Sequence, residues 1–157
     1  MPHEFELVFA LKSGGRNNPV AKANDSIFGY AVGIDLTRRD LQIASRDVKR
    51  PWEIGKAFDS SAPCGPLMPA SKIGHPAKGK IVLKVNGKVR QDGDLNQMIW
   101  NVPETISKLS EMVALEAGDV IMTGTPSGVA ATVAGDKIEC KVEGVGKLAV
   151  TIGQPLT

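Results

Sequence analysis

The chain has 157 residues, 42% hydrophobic and 23% charged, ordinary values for a globular domain large enough to bury a sizeable core without staples. Its 19 basic and 17 acidic residues leave a net charge of +2, and aromatic residues make up 4%, so neither electrostatics nor base stacking argues for nucleic acid. No apolar run approaches the roughly 18 residues of a membrane span, and the acidic start MPHEFEL does not read as a signal peptide. Cys64 and Cys140 lack metal-ligand spacing. The expectation is a soluble cytoplasmic protein with both thiols reduced and partly buried.

The first element is a strand over residues 4–12. In HEFELVFA the side chains of Phe5, Leu7 and Phe9 share one face, and Glu4 and Glu6 stand side by side on the other. Two carboxylates that close repel each other unless water screens them or a cation sits between them. The strand therefore reads either as a solvated edge or as half of a cation site. KSGGRNNP turns the chain, a short helical segment follows over 20–26, and IFGYAVGI is a buried strand running into Asp35. TRRD has the Thr-x-x-Asp form of a capping box and predicts a helical turn through TRRDLQIA.

RPWEIGKAFDSSAPCGPLMP has no clean period and reads as a long ordered loop. In KIVLKVNGKVRQDGD, Ile81, Leu83 and Val85 alternate with polar residues, and Asn86-Gly87 signals a two-residue hairpin. VPETISKLSEMV is a helix with Val102, Ile106, Leu109 and Val113 on one face, Pro103 in its first turn and Gly118 as its stop. DVIMTG is a further strand, TGTPSGV a loop, and DKIECKVEGVGKLAVTI two strands around Gly144 and Gly146. The sum is one domain over 1–157, mainly β with few helices (α+β), as a mixed β-sandwich or β-roll. Strand–helix alternation is too sparse for a doubly wound fold.

HEFEL, GYAVGIDLTRRDLQ, WEIGKAFDSSAPCGP, VNGKVRQDG, LEAGDVIMTGTPSGV and VEGVGKL occur in this order. Together they resemble the fumarylacetoacetate hydrolase family in its C-terminal catalytic domain, over essentially the whole chain. Within that family RPWEIGKAFD is most similar to the fumarylpyruvate hydrolases of gentisate breakdown. The resemblance implies a divalent cation, Mg²⁺ or else Mn²⁺ or Ca²⁺, held by Glu4, Glu6 and Asp35. Three hard carboxylate oxygens independently suit these ions better than zinc. It also implies that Lys56 is the active-site lysine, placed to support charge on an enolate or carboxylate oxygen of a keto-acid substrate.

By the same resemblance Arg39 and Gln42 contact the substrate's carboxylate and keto oxygens, and Thr125 binds a substrate carboxylate through its hydroxyl and loop amides. Arg39 and Gln42 follow Asp35 by four and seven residues, which on a helical turn brings all three to one side. Arginine's fork suits a planar carboxylate. Arg38 reads as solvent-facing, and His3 and His75 as lone histidines without partners. The loop TGTPSG lacks the Gly-Lys-Ser/Thr ending of a phosphate loop.

The family is commonly dimeric, so a homodimer is expected, with no nucleic-acid or membrane partner. Family members carry an upstream lid with a His–Glu pair that activates water. The chain reads as lacking that segment, which leaves the general base unassigned. The implied activity is hydrolysis of a carbon–carbon bond in a β-diketo acid of the fumarylpyruvate or acylpyruvate type, giving pyruvate and a carboxylic acid. The alternatives are an oxaloacetate-type decarboxylase, a 2-hydroxy-dienoate isomerase, or a non-catalytic domain that binds a metal and dicarboxylates.

Overall fold

A computed structural model describes residues 1–154. The elements in chain order are β1 (Pro2–Leu11), α1 (Val20–Ala23), β2 (Ile27–Leu36), α2 (Arg39–Asp47), α3 (Glu53–Lys56), β3 (Met68–Pro69), α4 (Ala70–Ile73), β4 (Lys80–Val85), β5 (Lys88–Asp94), α5 (Val102–Met112), β6 (Val120–Met122), β7 (Ala130–Ala131), β8 (Lys137–Val142) and β9 (Gly146–Thr151). One sheet runs β3-β2-β1-β6, with β7 also pairing β1, and the other runs β5-β4-β8-β9. Every strand pairing among the described residues is antiparallel. The fold is therefore mainly β, two packed sheets with short helices at their margins, as the alternation in the sequence predicts.

The apolar faces of the two sheets form one core. Phe5, Leu7 and Phe9 of β1 pair with Ile34, Val32 and Tyr30 of β2. All six are at most 1% exposed and pack in one cluster with Ile81 and Leu83 of β4 and Ile138 and Val142 of β8. Each buried side chain of this size contributes about 1.5–3 kcal/mol. The strand that carries Glu4 and Glu6 is thus anchored by its own alternate residues. It is a central strand, between β2 and β6, and its second face is covered as well: Val8 and Ala10 are buried. A solvated edge is excluded.

Several local expectations change. The helix after Asp35 begins at Arg39, its N-cap position is Arg38, and no side chain caps it. Thr37 is fully buried and turned into the site instead, because its hydroxyl bonds Lys56 there. The loop 50–69 contains one helical turn, α3, whose Lys56 ends it. Helix α5 has the Asn101–Glu104 capping box and stops at Met112, so Val113 lies outside it, half exposed, and Gly118 does not terminate it. Among the cysteines Cys140 is buried, but Cys64 is exposed. At the β4–β5 turn Asn86 and Gly87 both have positive φ, 51° and 77°, the left-handed pair that such a hairpin requires.

Candidate metal centre

Antiparallel register builds the site. Glu4 on β1 stands directly opposite Asp35 on β2, and Glu6 opposite Gly33. Side chains directly opposite on neighbouring strands share a face, so three carboxylates converge there. Their ligand oxygens lie within 4.8 Å of one another. Gly33 has no room for a side chain: a Cβ there would meet Val8 Cγ2 at 2.5 Å and Cys64 Sγ at 3.2 Å.

Cations line the other side. Lys56 Nζ donates to Glu4 Oε2 at 2.8 Å, Asp35 Oδ2 at 2.7 Å and Thr37 Oγ1 at 2.9 Å. Its backbone is set by α3 docking on α2, where Arg38 N–H donates to the Gly55 carbonyl at 2.9 Å and a Cβ on Gly55 would press on Gln42 N at 3.0 Å. Arg39 donates to Glu4 Oε1 at 2.8 Å and to Gln42 Oε1 at 2.6 Å. Arg38 is exposed, yet its guanidinium is not simply solvated: it lies 4.3 Å from the Phe58 ring centre.

The carboxylates sit in unequal surroundings. Burial pushes Glu4 upward, but hydrogen bonds from Lys56 and Arg39 outweigh it and hold the carboxyl below its ordinary range. Burial lowers Lys56, and the bonds to Asp35 and Glu4 outweigh that, so its ammonium holds its proton more tightly than usual. Glu6 is 4% exposed, and burial raises its carboxyl to about 7. Repulsion from Asp35 and Glu4 adds to the rise, and the Gly124 N–H, 2.6 Å from Glu6 Oε2, opposes it.

This arrangement predicts a pH signature in the metal-free protein. Below the ordinary carboxyl value of 4.5, Glu6 is protonated folded or unfolded and contributes nothing. Between 4.5 and about 7 the unfolded chain ionises while the fold holds the proton, so stability falls as pH rises and levels off above about 7. The full effect is about 3 kcal/mol. Buried His3, whose imidazole is lowered chiefly by burial, has the opposite slope below 6.5. The difference between wild type and Glu6→Gln therefore isolates Glu6. Thermal unfolding of both with a chelator present, from pH 4.5 to 8, should show Glu6→Gln gaining on wild type as pH rises. Parallel curves would refute the buried carboxyl.

The donors fit a divalent metal. The three converging ligand groups are all carboxylates, a hard-oxygen set. Ligands 2.0–2.6 Å from one ion stand up to about 4–5 Å apart when opposed, and these oxygens lie within 4.8 Å of one another. Nζ of Lys56, bridging two of the three, shows that the site already selects positive charge.

The sequence-derived residues are not all in one contact set. Glu4, Glu6, Asp35, Lys56, Arg39 and Gln42 come together, although Asp35 joins through strand register and not helical spacing. Thr125 touches none of the three acids; its neighbour Gly124 does. Thr125 Oγ1 accepts instead from Gln91, which is buried on β5. A cleft of about 740 Å³ runs beside this loop, lined by Met98, Trp100, Thr123, Gly124, Thr125 and Pro126. A larger hollow, about 800 Å³, lies on the outer face of the second sheet among Lys84, Lys141 and Lys147 and holds none of these groups.

The histidines do have partners: His3 Nδ1 lies 3.0 Å from Gln91 Oε1, and His75 Nδ1 2.8 Å from the Tyr30 hydroxyl. Thr37 is recoverable from period 2, since it follows Asp35 by two along the strand direction. Gln91 is not: a bulge between Leu83 and Lys84 shifts the hairpin register and sets Gln91 opposite Leu83 on the apolar side.

Fold and donor set together define a β-sandwich domain with three carboxylates converging at one sheet face. The chain belongs to the fumarylacetoacetate hydrolase family: the family's C-terminal domain matches residues 1–153. It is 43% identical over 151 residues to a fumarylpyruvate hydrolase from Ralstonia, covering 96% of this chain and 78% of the relative. It is 39% identical over 153 residues to the human mitochondrial oxaloacetate tautomerase, covering 98% and 69%. The crystal structure of fumarylpyruvate hydrolase from Pseudomonas aeruginosa in complex with Mn²⁺ and pyruvate superposes with a TM-score of 0.96 at 49% identity, covering 98% of this chain and 66% of that one. No helix among the described residues is long and apolar enough to cross a membrane.

Proposed function

We propose that this chain is a divalent-metal hydrolase of acylpyruvates, with fumarylpyruvate as its preferred substrate. The observation that carries the reading is the opposed charge in one site: three converging carboxylates faced by Lys56 and Arg39. An α-keto acid needs both, a cation for its chelating oxygens and fixed positive groups for the rest of its charge. The Mn²⁺–pyruvate complex of the Pseudomonas relative supports this pairing.

Glu4, Glu6 and Asp35 would hold the cation, which supplies Lewis-acid polarisation of the keto-acid oxygens. Water adds to the distal acyl carbon, the bond from that carbon to the methylene breaks, and its electron pair enters the pyruvate enolate. A proton from the added water ends on the former methylene carbon, giving pyruvate, and the acyl fragment leaves as the acid. Lys56 brings a compact ammonium to the oxygen where charge grows. Arg39 and Gln42, already joined, present a fixed donor pair to the substrate's oxygens, and Thr125 offers its hydroxyl to a carboxylate.

The tautomerase relative favours a second reading in which the same groups polarise oxaloacetate and only a proton moves. Incubating the protein with Mn²⁺ or Mg²⁺ and either fumarylpyruvate or oxaloacetate separates the two. Pyruvate release from fumarylpyruvate is expected. Enol–keto exchange of oxaloacetate without any acylpyruvate cleavage would replace the first reading by the second.

A further inference from the structure

We propose that Gln91 is a positioning residue that fixes the direction of the Thr125 hydroxyl proton, so that this hydroxyl serves a bound carboxylate as a donor. The assignment rests on the role of Thr125 proposed above. Gln91 is 1% exposed and its amide makes four hydrogen bonds. Phe5 N–H donates to Oε1 at 3.3 Å, and His3 Nδ1 stands 3.0 Å from the same oxygen. Nε2 donates to the Pro126 carbonyl at 2.8 Å and to Thr125 Oγ1 at 2.7 Å.

The two backbone partners decide which end of the amide is which. A backbone N–H only donates, so Phe5 must face the amide oxygen; a carbonyl only accepts, so Pro126 must face the amide nitrogen. With one N–H committed to Pro126, the other points at Thr125, whose oxygen must accept. The hydroxyl's own proton is then directed elsewhere, available to an anion. The same logic puts the His3 proton on Nδ1 and leaves Nε2 a bare acceptor, and that atom is buried without a partner. The bonds also tie residues on either side of Glu4 to the loop that holds Gly124 and Thr125. One side chain therefore registers the metal-side strand against the loop.

Glutamate and methionine at position 91 have nearly the shape of glutamine but opposite consequences for the hydroxyl. Methionine leaves it free to rotate. Glutamate offers a carboxylate that takes its proton, turning oxygen lone pairs toward an incoming anion. The test is calorimetric binding of oxalate in the presence of Mn²⁺ to wild type, Gln91→Met, Gln91→Glu, Thr125→Val and the two double variants. Thr125→Val should weaken oxalate about tenfold, the scale of one hydrogen bond to a charged group. Gln91→Met should weaken it a few fold, and Gln91→Glu about tenfold beyond that. In the Thr125→Val background the gap between the Met and Glu substitutions should nearly vanish.

A merely structural glutamine would make the polar, isosteric Glu substitution the milder one. Equal effects of the two substitutions, or a gap that persists without the hydroxyl, overturn the proposal while leaving Thr125 in its role. No effect of Thr125→Val on oxalate removes that role and the proposal with it. Should Gln91→Glu not fold, Gln91→Met and Thr125→Val decide alone. Their effects on oxalate must be less than additive, and strict additivity overturns the coupling.

Discussion

Asp35→Ala is expected to abolish the rise in unfolding temperature that Mn²⁺ gives the unaltered protein. Asp35 is the one acid of the three that β1 does not supply, and it stands opposite Glu4 across the β1–β2 ladder. Without it two glutamates remain, one of them paired to Arg39 and Lys56 and so partly neutralised. A ligand that binds only the folded state at a hundred times its Kd stabilises by about 2.7 kcal/mol. For a chain of this length that corresponds to a shift of about 5–10 °C. The measurement is thermal unfolding of wild type and variant over a Mn²⁺ titration. An equal shift in both proteins would remove Glu4, Glu6 and Asp35 as the metal site.

Lys56→Met should move metal affinity and turnover in opposite directions. Nζ now bridges Glu4 and Asp35 at 2.8 and 2.7 Å, where it competes with a cation for the same oxygens. Removing the ammonium takes away both the competitor and its repulsion of a divalent ion, so Mn²⁺ binds more tightly. The same change deletes the fixed charge proposed to support the enolate, and losses of this kind run at about 10²–10³ in kcat. With no metal present the variant should also be less stable by about 1–3 kcal/mol, because two carboxylates lose a charged hydrogen-bond partner. Mn²⁺ should restore that loss. Calorimetry with Mn²⁺, thermal unfolding with a chelator, and pyruvate release from fumarylpyruvate give the three readouts. A variant with unchanged turnover would return Lys56 to a purely structural ion pair.

The acids mark how far the sequence reaches. The pairing of Glu4 with Glu6 on one face, the apolar anchor of Phe5, Leu7 and Phe9, and the Asn86-Gly87 turn are all set within a few residues. They follow from strand period and turn stereochemistry, which tertiary packing did not override. The family resemblance identified Asp35 and Lys56 without geometry. Composition and period alone would have left both as ordinary surface charges.

Other features depend on partners far along the chain. Glu4 meets Asp35 only because β1 and β2 pair in that register, and Glu6 acquires a carboxyl near 7 only because the fold buries it beside Asp35 and Glu4. Thr37 carries a capping signal that is locally valid, yet its hydroxyl accepts from the half-buried Lys56 ammonium at 2.9 Å, so a tertiary contact takes the place of the helix cap. Gln91 reads as an ordinary polar strand residue until β5 lies against β4 and the Thr125 loop closes over it. Local periods determine which side chains share a face. Only the three-dimensional arrangement determines what that face is pressed against, and with it the charge state and proton direction of each group.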